Sequence, residues 1–210
     1  MTEVEEWRSI LPAFDAWKRG LVQSLPWDRL RASLESSHPF PFQLCSSLLA
    51  VVTDDLRPQI LQLLSARAEA ACSELVCVDL SRPLVPDAAL EAKAVRAVAT
   101  LTQVLNAVRE ADRLRAEKLA KLPGVLETFQ LALHGALRHG RSCGEWLPSL
   151  LLLAEVRNAD FERLFYGLFL LRWSRGETVG VREREVREPL GNALSPATRA
   201  TMTQLLQRAD

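Results

Sequence analysis

The 210 residues carry 26 basic and 26 acidic side chains, a formal net charge of zero, and 48% apolar residues, which excludes a disordered chain. Four cysteines are too few for a disulfide scaffold, and without a charge surplus nothing drives the counterion release that a broadly basic nucleic-acid binder exploits. Leucine and alanine fill 38 and 26 positions against nine glycines and two isoleucines, a composition that favours helix.

The first segment opens on Thr2-Glu3-Val4-Glu5, a capping-box pattern, and continues with Trp7, Ile10, Phe14, Trp17 and Leu21 at a 3,4,3,4 spacing. That stripe predicts one apolar helical face. Pro12 removes the hydrogen bond to the Arg8 carbonyl, so a kink or break is expected there. The acidic start has no apolar run behind it, and the longest uninterrupted apolar stretch, 164–171, is too short to cross a bilayer. The expectation is a chain with no secretory leader and no membrane insertion, cytoplasmic or nuclear, with its cysteines reduced.

Leu25-Pro26-Trp27 restarts a short helix to about Ser36, and a turn over 36–41 precedes a helix from about Phe42 to Val52. Thr53, Asp54 and Asp55 offer caps for the next helix, where Pro58 falls in the first turn. Leu56, Ile60, Leu63, Leu64, Ala68, Ala71, Cys72 and Leu75 form its apolar face. Asp87 caps the longest predicted helix, which runs to about Lys121 on a stripe of Ala94, Val98, Leu101, Leu105 and Val108. Beyond Arg109 the stripe narrows, so this end is expected to project.

Pro123-Gly124 punctuates, and Leu126, Phe129, Leu133 and Leu137 build another amphipathic helix ended by Gly140. Ser142 to Glu145 forms a second capping-box pattern, with Pro148 offering a competing start at Leu147. Leucine at every position from 150 to 153 predicts a helix buried all round. Asn158 caps a helix over 159–173 with Phe161, Leu164, Phe165, Leu168, Phe169 and Leu171, also broadly apolar. Two adjacent helices of this kind carry more apolar surface than a lone bundle of this size hides, so one is expected to face a partner. After Trp173 charges alternate, which reads as a solvated arm with a short hairpin near Val179-Gly180-Val181. Ser195-Pro196 starts a final helix to about Arg208.

The predicted fold is all-α: an irregular antiparallel helical bundle or short stack of helical hairpins, about nine helices in all. The core spans 1–173, a charged connector or arm 174–194, and a C-terminal helix 195–210. No repeat of 30 to 45 residues is visible.

Chemistry-bearing residues are few. His134 with His139, and Cys72 with Cys77, are each five apart, so on a helix they point about 140° away from each other unless a turn intervenes. Four converging zinc ligands are therefore not expected, nor is any other cofactor. Cys143 with His139 is a weaker nucleophile–base pair, better read as a helix end and a helix start. No phosphate-binding loop, dinucleotide fingerprint or hydrolase elbow occurs.

These features predict a non-catalytic helical adaptor or scaffold subunit of a multiprotein assembly, binding partner proteins through apolar helical faces. Its expected contact residues are Trp7, Phe14 and Trp17 on the N-terminal stripe and Phe161, Phe165 and Phe169 near the C-terminus, because large aromatics dominate interface energetics. The alternatives are a nucleic-acid-associated subunit touching phosphates through Arg109, Arg113, Arg115 and Lys118, or an enzyme centred on Cys143. Glu110, Asp112 and Glu117 interleave with those cations and argue for a solvated face.

Overall fold

Asp87 opens the longest element. Its carboxylate accepts hydrogen bonds from the N–H groups of Ala89 at 2.9 Å and Leu90 at 3.1 Å, satisfying two donors that a helix start leaves orphaned. The helix that follows, Ala88–Ala111, buries Ala94, Val98, Leu101, Leu105 and Val108 on the expected stripe, and Val104 and Ala107 beside it. This breadth of burial makes it the central helix.

A computed structural model describes residues 3–35, 40–52, 54–73, 75, 87–139, 141–165, 189–200 and 204, with backbone alone at 3–10, 40, 138 and 164–165. In chain order the helices are α1 (Glu3–Lys18), α2 (Trp27–Glu35), α3 (Phe40–Val51), α4 (Arg57–Ser73), α5 (Ala88–Ala111), α6 (Arg113–Ala120), α7 (Val125–Arg138), α8 (Leu147–Val156) and α9 (Asn158–Phe165). A 3-10 turn, Gly144–Trp146, leads into α8. Residues 189–192 and 196–200 are also helical. The fold is all-α, with no strand among the described residues. α5 touches α3, α4, α6, α7 and α8, so the bundle is assembled around it.

Several expectations change. α1 runs unbroken through Pro12, whose side chain is exposed. The predicted single helix 87–121 divides at Asp112. There the backbone is extended (φ −152°), the Asp112 N–H donates to the Val108 carbonyl, and its carboxylate accepts from the Arg115 N–H at 3.0 Å. One residue thus ends α5 and caps α6. The second piece does not project: Ala116, Leu119 and Ala120 are buried, and α6 packs on α5 and α8.

Gly124 takes a left-handed conformation (φ 86°) as the N-cap of α7, a conformation L side chains adopt only with strain. Of the two predicted starts near residue 145, Leu147 with Pro148 begins the α-helix, while Cys143 precedes only the 3-10 turn. α8 is not buried all round either. Leu150, Leu152 and Leu153 are buried, but Leu151 is 37% exposed.

The outer part of the predicted arm also differs. Leu190 and Leu194 are core residues. Glu162 on α9 holds this stretch: its carboxylate accepts the Ser195 N–H at 2.6 Å and the Thr198 hydroxyl at 3.2 Å. Ser195 Oγ accepts the Thr198 N–H at 3.4 Å, the expected cap of the helix at 196–200. Residues 174–188, with the predicted hairpin, lie outside the described residues.

Candidate functional site

α4 has two faces of different composition. Ile60, Leu61, Leu64, Ala68 and Cys72 are buried in the core. On the other side Gln59, Leu63, Ala66 and Ala70 recur at helical spacing, and all but the half-buried Leu63 are exposed. Alanine sustains the helix while adding almost no bulk, so the neighbouring helices leave clefts above this face.

Between α2 and α4 lies a cleft of about 510 Å³ lined by Trp27, Arg31, Gln59, Gln62, Leu63 and Ala66. A second, of about 340 Å³, continues it past Leu34 and Glu35 to Arg67 and Ala70. A smaller hollow between α4 and α5 begins at those same two residues and adds Ala71, Lys93, Arg96, Ala97 and Thr100. The three depressions adjoin as a groove along α4 from Gln59 to Ala71, roughly 18 Å at a rise of about 1.5 Å per residue, with Arg67 standing where the α2 and α5 parts meet.

Arg67 fixes the middle of the groove. Its guanidinium donates to the last carbonyls of α2, from Nε to Leu34 O at 2.8 Å and from Nη2 to Glu35 O at 3.3 Å. A cation on the C-terminal carbonyls of a helix satisfies orphan acceptors and complements the helix dipole. Arg31, Lys93 and Arg96 are exposed along the groove and make no ion pair among the described residues. Glu35 is the one carboxylate lining it among the described residues.

A second cluster sits between α5 and α7. Glu91, in the first turn of α5, is 4% exposed. His134 Nδ1 stands 3.4 Å from one of its carboxylate oxygens and His139 Nε2 3.4 Å from the other. Both histidines reach this carboxylate because Glu91 packs on Gly135: His134 adjoins that glycine, and His139, the C-cap of α7, lies one turn on, its N–H donating to the Gly135 carbonyl at 3.1 Å. No turn intervenes, since 134–138 are helical, and the two side chains approach different oxygens of Glu91. Together they sheathe a buried carboxylate and tie the start of α5 to the end of α7. A buried carboxylate costs stability unless it is paired, and His134 approaches it at ion-pair distance rather than by a hydrogen bond. No group of His, Cys, Asp and Glu able to hold a metal occurs among the described residues.

The predicted contact aromatics divide. Phe14 (6% exposed) and Phe161 (1%) are core residues, so neither serves as an interface anchor. Phe14 turns inward because the body of the chain itself covers it. Trp17 is half-buried against the core, and the exposed apolar side chains nearby are Leu11, Leu21 and Val22 instead. The side chains of Trp7 and Phe165, and all of Phe169, lie outside the described residues.

The predicted phosphate contacts are largely engaged by the protein. Arg113 pairs with Glu117 at 3.2 Å and with Glu155 on α8, while Arg115 lies 3.8 Å from Asp112. Arg109 donates to the Pro148 carbonyl at 3.4 Å, and Lys118 is exposed. Cys143 is fully buried, as are Cys45 and Cys72, whose thiols burial pushes up to about 12. An attacking thiolate needs both access and a lowered pKa. Cys77 lies outside the described residues.

No protein-family model, curated protein or solved structure matches the chain. Among the described residues no helix is long and apolar enough to cross a membrane.

Proposed function

We propose that this protein is a non-catalytic helical adaptor, a subunit of a cytoplasmic or nuclear assembly that holds a partner protein on the surface formed by α2, α4 and α5. The open groove along the alanine face of α4 is the observation that carries this reading. Small side chains let a partner backbone approach closely, and the half-buried Leu63 supplies apolar contact in the floor. The inward position of Phe14 and Phe161 moves the proposed contact away from the aromatic clusters and onto this groove.

The test uses the tagged full chain and its Ala70→Arg variant in affinity purification, followed by light scattering of the eluted complex. A stoichiometric partner that is retained by the native protein and lost with Ala70→Arg supports the reading. A monodisperse monomer that retains no stoichiometric partner, or a partner retained equally by both proteins, overturns it.

A further inference from the structure

We propose that the α4 groove receives an acidic amphipathic helix of the partner protein, lying alongside α4. This rests on the adaptor reading and adds the chemistry of what is bound. Among the described residues four cations, Arg31, Arg67, Lys93 and Arg96, line the groove against the single carboxylate of Glu35. The whole chain is neutral, so the imbalance is local. Complementary charge selects a partner and sets its register.

Charge placement distinguishes a helix from a polyanion. Arg31 on α2 lines the clefts beside Leu63 and Ala66, Lys93 and Arg96 on α5 line the hollow beside Ala70 and Ala71, and Arg67, turned onto the α2 carbonyls, stands between them. An occupant that matches must present apolar or small residues to α4 and carboxylates to the α2 and α5 sides, which is the pattern of an amphipathic helix with acidic edges. Phosphates ranged along a nucleic-acid strand would meet Leu63, Ala66 and Ala70 between the cations, with only the neutral amides of Gln59 and Gln62 beside them. The groove is about as long as a twelve-residue helix, the length over which such a ligand is normally read.

Arg67 is already committed to the α2 carbonyls. Arg31 and Arg96 hold no ion pair or hydrogen bond among the described residues, so reversing them leaves the fold's own contacts in place.

The experiment is fluorescence anisotropy on the full chain with a labelled helical peptide of about fourteen residues, leucine and alanine on one face and glutamate on both flanks. A second peptide replaces every glutamate with lysine, and a single-stranded oligonucleotide of equal negative charge is the third probe. The expected result is binding of the acidic peptide at least about tenfold tighter than either other probe, weakening as salt is raised. Arg31→Glu with Arg96→Glu should reduce that affinity about tenfold or more, with circular dichroism and urea midpoint unchanged.

Equal binding of the two peptides, preference for the oligonucleotide, or indifference to the double reversal overturns the proposal. The two failures separate cleanly. A native partner lost with Ala70→Arg but retained by the double reversal keeps the adaptor and rejects the acidic helix. Tight acidic-peptide binding without any native partner rejects the adaptor alone.

Discussion

Gly135 on α7 lies against Glu91 on α5 so closely that a Cβ added at 135 would stand 3.0 Å from Glu91 Cβ and 3.1 Å from its Cγ. Glu91 has little room to move, because His134 and His139 flank its carboxylate. Two effects therefore compete at Gly135→Ala. Replacing a helical glycine ordinarily gains about 1 kcal/mol, whereas overpacking a closed contact costs about 1–3 kcal/mol. The clash should win, leaving a net loss of about 1 kcal/mol in urea denaturation with an unchanged m-value. Glu91→Ala removes the Cγ and Cδ contacts but keeps the Cβ at 3.0 Å, so in the double variant only part of the clash should be relieved, seen as a coupling energy between the two changes. A more stable Gly135→Ala single variant would show that the two helices are not in this close contact.

Asp112 joins α5 to α6 by serving both. Asp112→Ala removes the carboxylate that accepts the Arg115 N–H and should cost about 1 kcal/mol, while Asp112→Asn should cost far less. Equal losses from the two variants in a urea titration would mean that charge, rather than capping, sets the role of this residue.

Glu162 gives the fold a pH dependence of definite sign. The Ser195 backbone N–H, with the Ser195 and Thr198 side chains, holds its carboxyl below the usual 4.5 despite partial desolvation. A depressed folded-state pKa contributes stability that is fully present above the unfolded value and is lost as pH falls through the folded one. The native protein should therefore exceed Glu162→Gln in stability at neutral pH, and the gap should close from about pH 4.5 downward. A gap that stayed constant from pH 7 to pH 3 in paired urea melts would sink this account.

The buried thiols make a kinetic prediction. In a Cys77→Ser variant, Cys45, Cys72 and Cys143 should resist a thiol reagent at neutral pH, then react together when urea unfolds the chain. Rapid labelling of Cys143 in the native protein would restore the case for a reactive cysteine.

Much of the architecture was legible because leucine periodicity and cap residues are local signals. The stripe through Ala94, Val98, Leu101, Leu105 and Val108 needs only its own spacing, and Asp87 caps where its neighbours predict. The break at Asp112 was less legible, since a charged run is compatible with both a continuous helix and a capped one. Tertiary packing against α8 decided between them. Phe14 and Phe161 misled for a related reason: an aromatic stripe has the same spacing whether a neighbouring helix or a partner covers it.

The groove itself left almost no trace in the sequence. Ala66 and Ala70 are exposed and Ala68 is buried, yet alanine is equally at home in either place. What marks the site is the convergence of Arg31, Arg67, Lys93 and Arg96 from three helices, and that depends on how α2, α4 and α5 come together. His134 and His139 are the converse case: their spacing argued against a shared ligand, yet both reach the carboxylate that packs on Gly135.

The central position of α5 has a consequence for synthesis. Its neighbours α3 and α4 leave the ribosome before it, but α7 and α8 leave after it. At roughly 5–20 residues per second, about one to five seconds separate the end of α5 from the end of α7. Throughout that interval the nascent chain shows water an apolar flank that α7 has yet to cover. The same helix that organises the finished bundle is thus its most vulnerable part while the chain is being made, and chaperone demand should be greatest there.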